Sequence, residues 1–197
     1  YRPRQVIFYE GNQPYGLFCI SSGKVKVYKT DVDGNQQIVR IAGPGDLLGY
    51  RCLLANQLYA ATAETIEDAE VCFVDKRTFF HTIETHPVTA MRVMSALAQD
   101  LGKAESSVIN IVHKNIRERL AELFVLFQTK YGEKGEKGVH LDISLTRAEL
   151  AELIGTTQES VIRLMSEFKQ EKLIEVDGRS ITILDLNRLI ETANLAE

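Results

Sequence analysis

The sequence predicts an α+β fold class: an N-terminal β-roll (jelly roll), a long helix and a C-terminal winged helix-turn-helix. Three observations lead to this fold class. Short strand-like segments separated by turn residues fill the first part of the chain, a long helical pattern follows, and two short capped helices precede a β-hairpin. These changes of pattern place the domain boundaries at 1–85, 86–113 and 114–197.

The composition is that of an ordinary globular protein, with 45% hydrophobic and 25% charged residues. No apolar run is long enough to span a membrane, so we expect a cytoplasmic protein without a membrane partner. Three widely spaced cysteines indicate free thiols in a reducing compartment, and four scattered histidines without a Cys-x-x-Cys pair predict no metal site. Because the chain starts at Tyr1 rather than Met, the sequence leaves open whether an N-terminal extension is missing.

The N-terminal segment carries short strands bounded by turns. Residues 25–29 alternate apolar and polar side chains, as a half-buried strand does. The Asp-Gly pair at 33–34 reads as a hairpin loop that leads into the returning strand. Many short strands at this spacing are typical of a jelly roll or barrel. The other predicted strands are 6–9, 17–20, 37–41, 59–65 and 71–74.

A long helix is predicted from Pro87, because Pro is favoured at the first helical position. Its apolar residues recur at alternating spacings of three and four, which is a coiled-coil seam. Two interpretations stay open: the seam packs on the β domain of its own chain, or it forms a two-stranded coiled coil in a homodimer. Of the two, we predict the homodimer. The seam residues are Met94, Leu97, Leu101, Ala104, Val108 and Ile111.

Two short capped helices form the most specific pattern in the chain. Thr146 and Glu149 make a Thr-x-x-Glu capping box, and the helix that they open ends at Gly155. Thr156 and Glu159 read as a second box that opens a second amphipathic helix. Two capped helices joined through a single Gly predict a helix-turn-helix.

A hairpin signal follows the second helix. Asp-Gly-Arg at 177–179 separates two β-prone runs, at 172–176 and 180–184, so the hairpin adds a wing to the helix-turn-helix. Upstream, the predicted elements are a helix at 115–131, a polar loop at 132–138 and a short strand at 139–143.

The stretch LTRAELAELIGTTQESVIRLM at 145–165 resembles the helix-turn-helix of the catabolite-activator/FNR (Crp/Fnr) family. Its Glu-Ser-Val-x-Arg core matches the family's Glu-Thr-(Val/Ile)-x-Arg, and the resemblance extends over the whole chain, including a Gly-x-Gly-Asp turn at 43–46. It implies a cyclic-nucleotide-binding-like roll and a homodimeric, sequence-specific transcriptional regulator, expected to be an activator. The implied partners are double-stranded DNA and RNA polymerase.

In a helix-turn-helix, the start of the second helix reads base edges in the major groove. We expect Arg163 to make a bidentate contact to guanine and Glu159 to accept from cytosine N4, with Ile162 against a thymine methyl. Glu159 and Arg163 lie four residues apart and are expected to pair; the alternative role for Glu159 is capping. The predicted base-reading residues are Gln158, Glu159, Ile162 and Arg163, and the predicted phosphate contacts are Thr146, Arg147, Thr157 and Ser160.

The net charge of −4 is not that of a dedicated basic domain, so these contacts must form a local patch.

The family's cyclic-nucleotide binders carry a Gly-Glu-x-x-Leu segment and an Arg-(Ser/Thr)-Ala segment, whose Glu and Arg bind the ribose and the cyclic phosphate. Here Tyr50 replaces the Glu, Tyr59 replaces the Arg, and Arg51 is not in the matching place. A buried phosphate needs a cationic, donor-rich cradle. We therefore predict that cyclic AMP is not the ligand, predict no cofactor and leave the effector open. The degenerate pocket consists of Gly49, Tyr50, Arg51, Tyr59 and Ala60.

The same residues argue against several enzyme classes. No His lies between residues 1 and 80, which argues against a jelly-roll metalloenzyme, and P-loop, Rossmann and Gly-x-Ser-x-Gly patterns are absent from the sequence. We therefore predict that the protein is not an enzyme. A small-molecule-sensing repressor of the same family and a dimeric receptor without DNA binding stay open.

Overall fold

The first part of the chain folds into two antiparallel sheets, because its short strands are separated by tight turns. The computed structural model describes residues 1–135 and 137–195. One sheet has the strand order β1-β6-β3-β4 and the other the order β5-β2-β7, which confirms the predicted β-roll. These strands are β1 (Val6–Phe8), β2 (Gly16–Ser22), β3 (Val25–Thr30), β4 (Gln36–Ala42), β5 (Leu47–Leu48), β6 (Thr62–Thr65) and β7 (Glu70–Asp75).

Apolar side chains fill the space between the two sheets. Val25 and Ala63 are completely buried there, and Phe8 stacks on Tyr59 with ring centroids 3.9 Å apart. A second apolar cluster, which includes Leu17 and Phe79, lies under two helices, α1 (Tyr50–Leu54) and α2 (Lys76–Thr85). The strand predicted at 59–65 begins only at Thr62, because the Tyr59 backbone N–H donates to Asn12 in a loop.

The long helix α3 (Pro87–His113) starts at Pro87, as the sequence predicts. One of its faces packs on the second cluster of the roll through Val93, Ala96 and Leu97. The chain divides into two compact units, Tyr1–Glu105 and Ser106–Glu197, so the boundary between the units falls inside α3.

The second unit combines helices with a four-stranded sheet. Its helices are α4 (Ile116–Tyr131), α5 (Arg147–Ile154), α6 (Gln158–Gln170) and α7 (Leu186–Thr192). Its strands are β8 (Gly132–Lys134), β9 (Val139–Leu141), β10 (Ile174–Asp177) and β11 (Ser180–Ile183), in the order β10-β11-β9-β8. Phe124 and Phe168 are completely buried and meet edge to face, which joins α4 to α6.

Two elements of this unit differ from the prediction. Residues 132–134, predicted as a polar loop, form the exposed edge strand β8, because backbone pairing with β9 does not need apolar side chains. Residue 136 of that predicted loop lies outside the described residues. The helix α7 was not predicted; Asp185 caps it, accepting a hydrogen bond from the backbone N–H of Arg188, and Leu189 buries it in the core.

Candidate nucleic-acid interface

The first helix of the helix-turn-helix, α5, has the predicted capping box. The Thr146 backbone N–H donates to the Glu149 carboxylate at 2.8 Å, and the Glu149 N–H donates to the Thr146 hydroxyl at 3.1 Å. At the other end, Gly155 adopts a left-handed conformation with φ of 66°, which favours glycine. Both predicted ends of this helix are therefore confirmed.

The second helix, α6, starts differently from the prediction. Thr157 is its N-cap and accepts from the Ser160 N–H at 3.3 Å, so Thr156 and Glu159 do not form a capping box. The cap falls one residue later than predicted, which leaves Glu159 in the first turn without a role in the cap. The capping interpretation of Glu159 is thus wrong, and its carboxylate lies on the exposed side of α6.

Helical spacing divides α6 into an inner and an outer face. Val161, Leu164 and Phe168 are buried against the rest of the unit. On the outer face, Ile162 is 49% exposed. Gln158 lies beside it on the same exposed face. The four predicted base-reading side chains, Gln158, Glu159, Ile162 and Arg163, therefore share one exposed surface on the first two turns.

Arg163 does not pair with Glu159, contrary to the prediction. Its guanidinium donates instead to Glu167, four residues further along the helix, at 2.9 Å. Arg117 on α4 also binds the Glu167 carboxylate, at 3.2 Å, which holds that carboxylate in place for Arg163. The Arg163 side chain remains 61% exposed, so this ion pair leaves most of the guanidinium accessible.

A cleft of about 300 Å³ opens where the starts of α5 and α6 meet the wing. The two-residue turn of the wing, Gly178 and Arg179, closes one side of it, with Gly178 at a φ of 58° as this tight turn requires. Across the cleft, the Arg147 Nη2 donates to the Gly178 carbonyl at 2.8 Å. The lining residues are Thr146, Arg147, Ala148, Gln158, Gly178 and Arg179.

The other nitrogen of the same guanidinium has a distinct environment. The Arg147 Nη1 is shielded from solvent and has no hydrogen-bond partner among the described residues. Burial lowers the pKa of Arg147 from its usual value, since a charged group loses hydration there. An unpaired buried N–H is costly, because it has lost its hydrogen bonds to water without gaining a partner.

Both tyrosines of the predicted degenerate pocket, Tyr50 and Tyr59, are buried in the roll. The Tyr59 ring lies under the position where a Cβ on Gly49 would stand, only 2.8 Å away, and its hydroxyl donates to the Gly16 carbonyl at 3.2 Å. Burial raises the pKa of Tyr59 to about 12. Tyr59 is thus a core side chain, and Ala60 packs against the same cluster.

Tyr50 belongs to a polar cluster that the sequence did not reveal. Its hydroxyl donates to Asp100 on α3 at 3.0 Å, and Arg40 bridges Asp100 and Asp46 at 3.0 and 2.8 Å. Burial, and then the hydrogen bond to Asp100, raise the pKa of Tyr50 to about 12. The one sequence signal for this cluster was the turn that contains Asp46; Arg51 is exposed and is not part of it.

The predicted seam of α3 is mostly exposed. Met94, Leu101, Val108 and Ile111 are each more than half exposed, and Ala104 is exposed as well. Leu97 is the exception, because it packs against the roll of its own chain. Leu97, which was assigned to the seam by its spacing, thus contributes to the fold of the single chain.

Taken together, a capped helix-turn-helix with a wing and a β-roll with a long helix define a DNA-binding transcriptional regulator. None of the helices in the described part of the chain is long and apolar enough to cross a membrane. Among residues 1–135 and 137–195, no group of three or more His, Cys, Asp or Glu side chains is arranged to hold a metal ion.

Residues 1–86 match the cyclic nucleotide-binding domain family, and residues 118–192 match the Crp-like helix-turn-helix domain family. The chain belongs to the Crp/Fnr family of transcriptional regulators.

Relatives in this family span the length of the chain. The fumarate and nitrate reduction regulatory protein of Vibrio cholerae is 25% identical over 98% of this chain and 77% of its own length. A regulator of Mycobacterium tuberculosis described as CRP-like and cAMP-activated is also 25% identical, over 95% of this chain and 84% of its own. The structure of FixK2 from Bradyrhizobium japonicum superimposes with a TM-score of 0.88 at 23% identity, covering 100% of this chain and 96% of that one.

Proposed function

We propose that the protein acts as a homodimer on a pseudo-palindromic promoter site, with one α6 helix in each of two successive major grooves about 34 Å apart. The observation that carries this proposal is the exposed surface on the first two turns of α6. It presents a cation, an anion, an amide and an apolar side chain, which are the groups that distinguish base pairs in the major groove.

Each side chain on this surface suits a different base edge. Arg163 reaches guanine O6 and N7 once it leaves or shares Glu167, and Glu159 accepts from cytosine N4. Ile162 offers its uncovered methyl groups to thymine. By the family resemblance, each half-site contains a TTGA or GTGA core, and Gln158 contributes to the preference for the flanking base.

Phosphate contacts are proposed beside this surface. Arg147 lines the cleft between the starts of α5 and α6 and the wing, so its positive charge is placed to bind a DNA phosphate there. Thr146, Thr157 and Ser160 lie at the N-termini of α5 and α6, where backbone N–H groups favour anions.

The homodimer is supported by the exposed face of α3. Four large apolar side chains at heptad-like spacing would remain in water in a single chain, and a second copy of the helix buries them. We assign this role to Met94, Leu101, Ala104, Val108 and Ile111. Leu97, given the same role by its spacing, is engaged within its own chain.

We further propose a cytoplasmic activator that contacts RNA polymerase and performs no catalysis. Cyclic AMP is not its effector, because Tyr59 fills the core and Tyr50 is tied to Asp100 where a nucleotide would need free donors. Calorimetric titration with cyclic AMP is expected to show no heat of binding. Micromolar affinity would contradict this part of the proposal, and reduced transcript in a reconstituted assay would indicate a repressor.

Fluorescence anisotropy tests the DNA-binding surface. We expect tight binding to a labelled palindrome with two TTGA half-sites, and weak binding to a scrambled duplex at the same salt concentration. Arg163→Ala is expected to weaken the free energy of binding to the palindrome by about 1–3 kcal/mol and to change binding to the scrambled duplex little. Lys169→Ala, which removes the same charge further along α6, is the control and affects both duplexes equally. Equal weak binding of the unchanged protein to both duplexes would contradict the proposed half-site.

A further inference from the structure

Two of the three cysteines lie directly opposite each other in the roll. Cys19 on β2 and Cys72 on β7 are paired in the antiparallel register, so their side chains lie on the same face of the sheet. They are 53 positions apart in the sequence, and spacing alone did not connect them. Both are free thiols, with Cys72 exposed and Cys19 partly exposed.

The backbone hydrogen bonds show whether Cys19 and Cys72 form a hydrogen-bonded or a non-hydrogen-bonded pair of the antiparallel ladder. The Lys76 N–H donates to the Tyr15 carbonyl at 2.8 Å, so Tyr15 and Lys76 are a hydrogen-bonded pair. Every second pair along an antiparallel ladder is of this kind, and Cys19 and Cys72 lie four positions along the ladder, so they are a hydrogen-bonded pair as well. The N–H and carbonyl of Ile20 point the other way, to Asp46 and Gly45, which agrees with this alternation.

This position brings the two sulfurs within reach of each other. The Cα atoms of such a pair are about 5.5 Å apart, and disulfides span Cα separations of about 4.4–6.8 Å. The Cβ atoms of such a pair, at about 4.5–5.5 Å, are slightly too far apart for a disulfide. Closing the bond therefore draws the two strands together by about 1 Å or less. A bond closed under such strain is readily reduced again.

We propose that Cys19 and Cys72 form a reversible intramolecular disulfide when the protein meets a peroxide. The thiolate of Cys72, the more exposed of the two, attacks one peroxide oxygen and becomes a sulfenic acid, while the other oxygen leaves as water. The Cys19 sulfur then attacks the sulfenic sulfur and releases the second water. In sum, two thiols and one hydrogen peroxide give one disulfide and two waters.

The third cysteine provides an internal control. Cys52 is 7% exposed and packs in the core cluster of the roll, so peroxide reaches it poorly. Cleavage after Lys, Arg and Glu places the three cysteines on separate peptides, so each possible linkage has its own mass.

The test uses the full chain, reduced, desalted and then treated with hydrogen peroxide. We expect the loss of two of the three titratable thiols, a mass lower by two hydrogens, and a linked pair of peptides that contain Cys19 and Cys72. Dithiothreitol is expected to restore both thiols. Cys52→Ser should still form the link, whereas Cys72→Ser should not, provided that its circular dichroism melting curve matches that of the unchanged protein.

Three outcomes would overturn the proposal. These are retention of all three thiols, a linkage through Cys52, and a covalent dimer on a non-reducing gel in place of the intramolecular link. The peptide map of the unchanged protein decides among them even if a cysteine variant fails to fold.

Discussion

The hydroxyl of Tyr50 donates a hydrogen bond of 3.0 Å to the carboxylate of Asp100, which joins the roll to the long helix α3. By the family resemblance, Tyr50 stands where the nucleotide-binding members carry the Glu that binds ribose. In this protein the residue at that position contacts α3 directly. Arg40 reinforces the contact by binding the same carboxylate oxygen of Asp100.

The Tyr50 contact predicts a loss of stability on removal of one oxygen. Tyr50→Phe should lower the free energy of unfolding by about 1.5–3 kcal/mol, the range for hydrogen bonds to charged groups. Tyr59→Phe, whose hydroxyl donates to a neutral carbonyl, should cost less, about 0.5–1.5 kcal/mol. Urea unfolding followed by circular dichroism measures both, and an equal loss in the two variants would contradict the special role of Asp100.

The same contact predicts a dependence on alkaline pH. The pKa of Tyr50 is about 12 in the folded protein and about 10 in an unfolded chain. Between these values the unfolded state binds fewer protons, so the stability due to Tyr50 is present below pH 10 and is lost as the pH rises toward 12. Unfolding free energies measured across this window should fall less steeply in Tyr50→Phe than in the unchanged protein.

The proposed phosphate contact of Arg147 predicts a change in the salt dependence of DNA binding. Removing one phosphate contact reduces the slope of log affinity against log salt by about 0.9 for duplex DNA. Arg147→Ala should therefore lower affinity for the operator and the scrambled duplex alike, and flatten the slope by about this amount. Arg188→Ala, which removes a cation on α7, is the control and should leave the slope unchanged. An unchanged slope for Arg147→Ala, or an equal change in both variants, would contradict the assignment.

The exposed face of α3 predicts how single charges affect assembly. Leu101→Asp places a charge in the proposed seam and should shift the protein from dimer to monomer in sedimentation, with weaker operator binding. Gln99→Asp adds the same charge to an exposed position off the seam and should leave the dimer intact. Leu97→Asp should instead lower the stability of the single chain, because Leu97 packs on the roll. A dimer that survives Leu101→Asp would mean that the seam is misassigned.

The turn of the helix-turn-helix predicts a steric cost at one glycine. Gly155 has a φ of 66°, where a Cβ costs about 1–2 kcal/mol. Gly155→Ala should lower the melting temperature of the second unit by several degrees, since 1 kcal/mol corresponds to about 4–8 °C in a domain of this size. Gly155→Asn should lower it less, because Asn tolerates the left-handed conformation. Equal melting temperatures for all three proteins would contradict this reasoning.

Most of the fold could be predicted because its signals are local. The Pro at the start of α3, the box around Thr146 and the Gly at the end of α5 each act within a few residues. The cap of α6 was misplaced for the same reason. Thr156 and Thr157 are adjacent and chemically equal, so a local pattern does not distinguish which of the two caps the helix.

The remaining differences depend on tertiary contacts. Arg163 has a Glu four residues away on either side, and Arg117, from another helix, makes Glu167 the partner by holding its carboxylate. Leu97 fits the seam by spacing, but the packing of α3 on the roll turns it inward. The partner of Tyr50 was equally hidden, since Asp100 is 50 positions away and carries no motif.

The hydrogen bond between Arg147 and the turn of the wing has a consequence for the affinity for DNA. A wing that had to become ordered on the duplex would lose conformational entropy at each binding event. Here the guanidinium already fastens the Gly178 carbonyl to the start of α5, so the cleft exists before DNA arrives. The wing is preorganised, and the free energy of each phosphate contact goes into affinity rather than into ordering a loop.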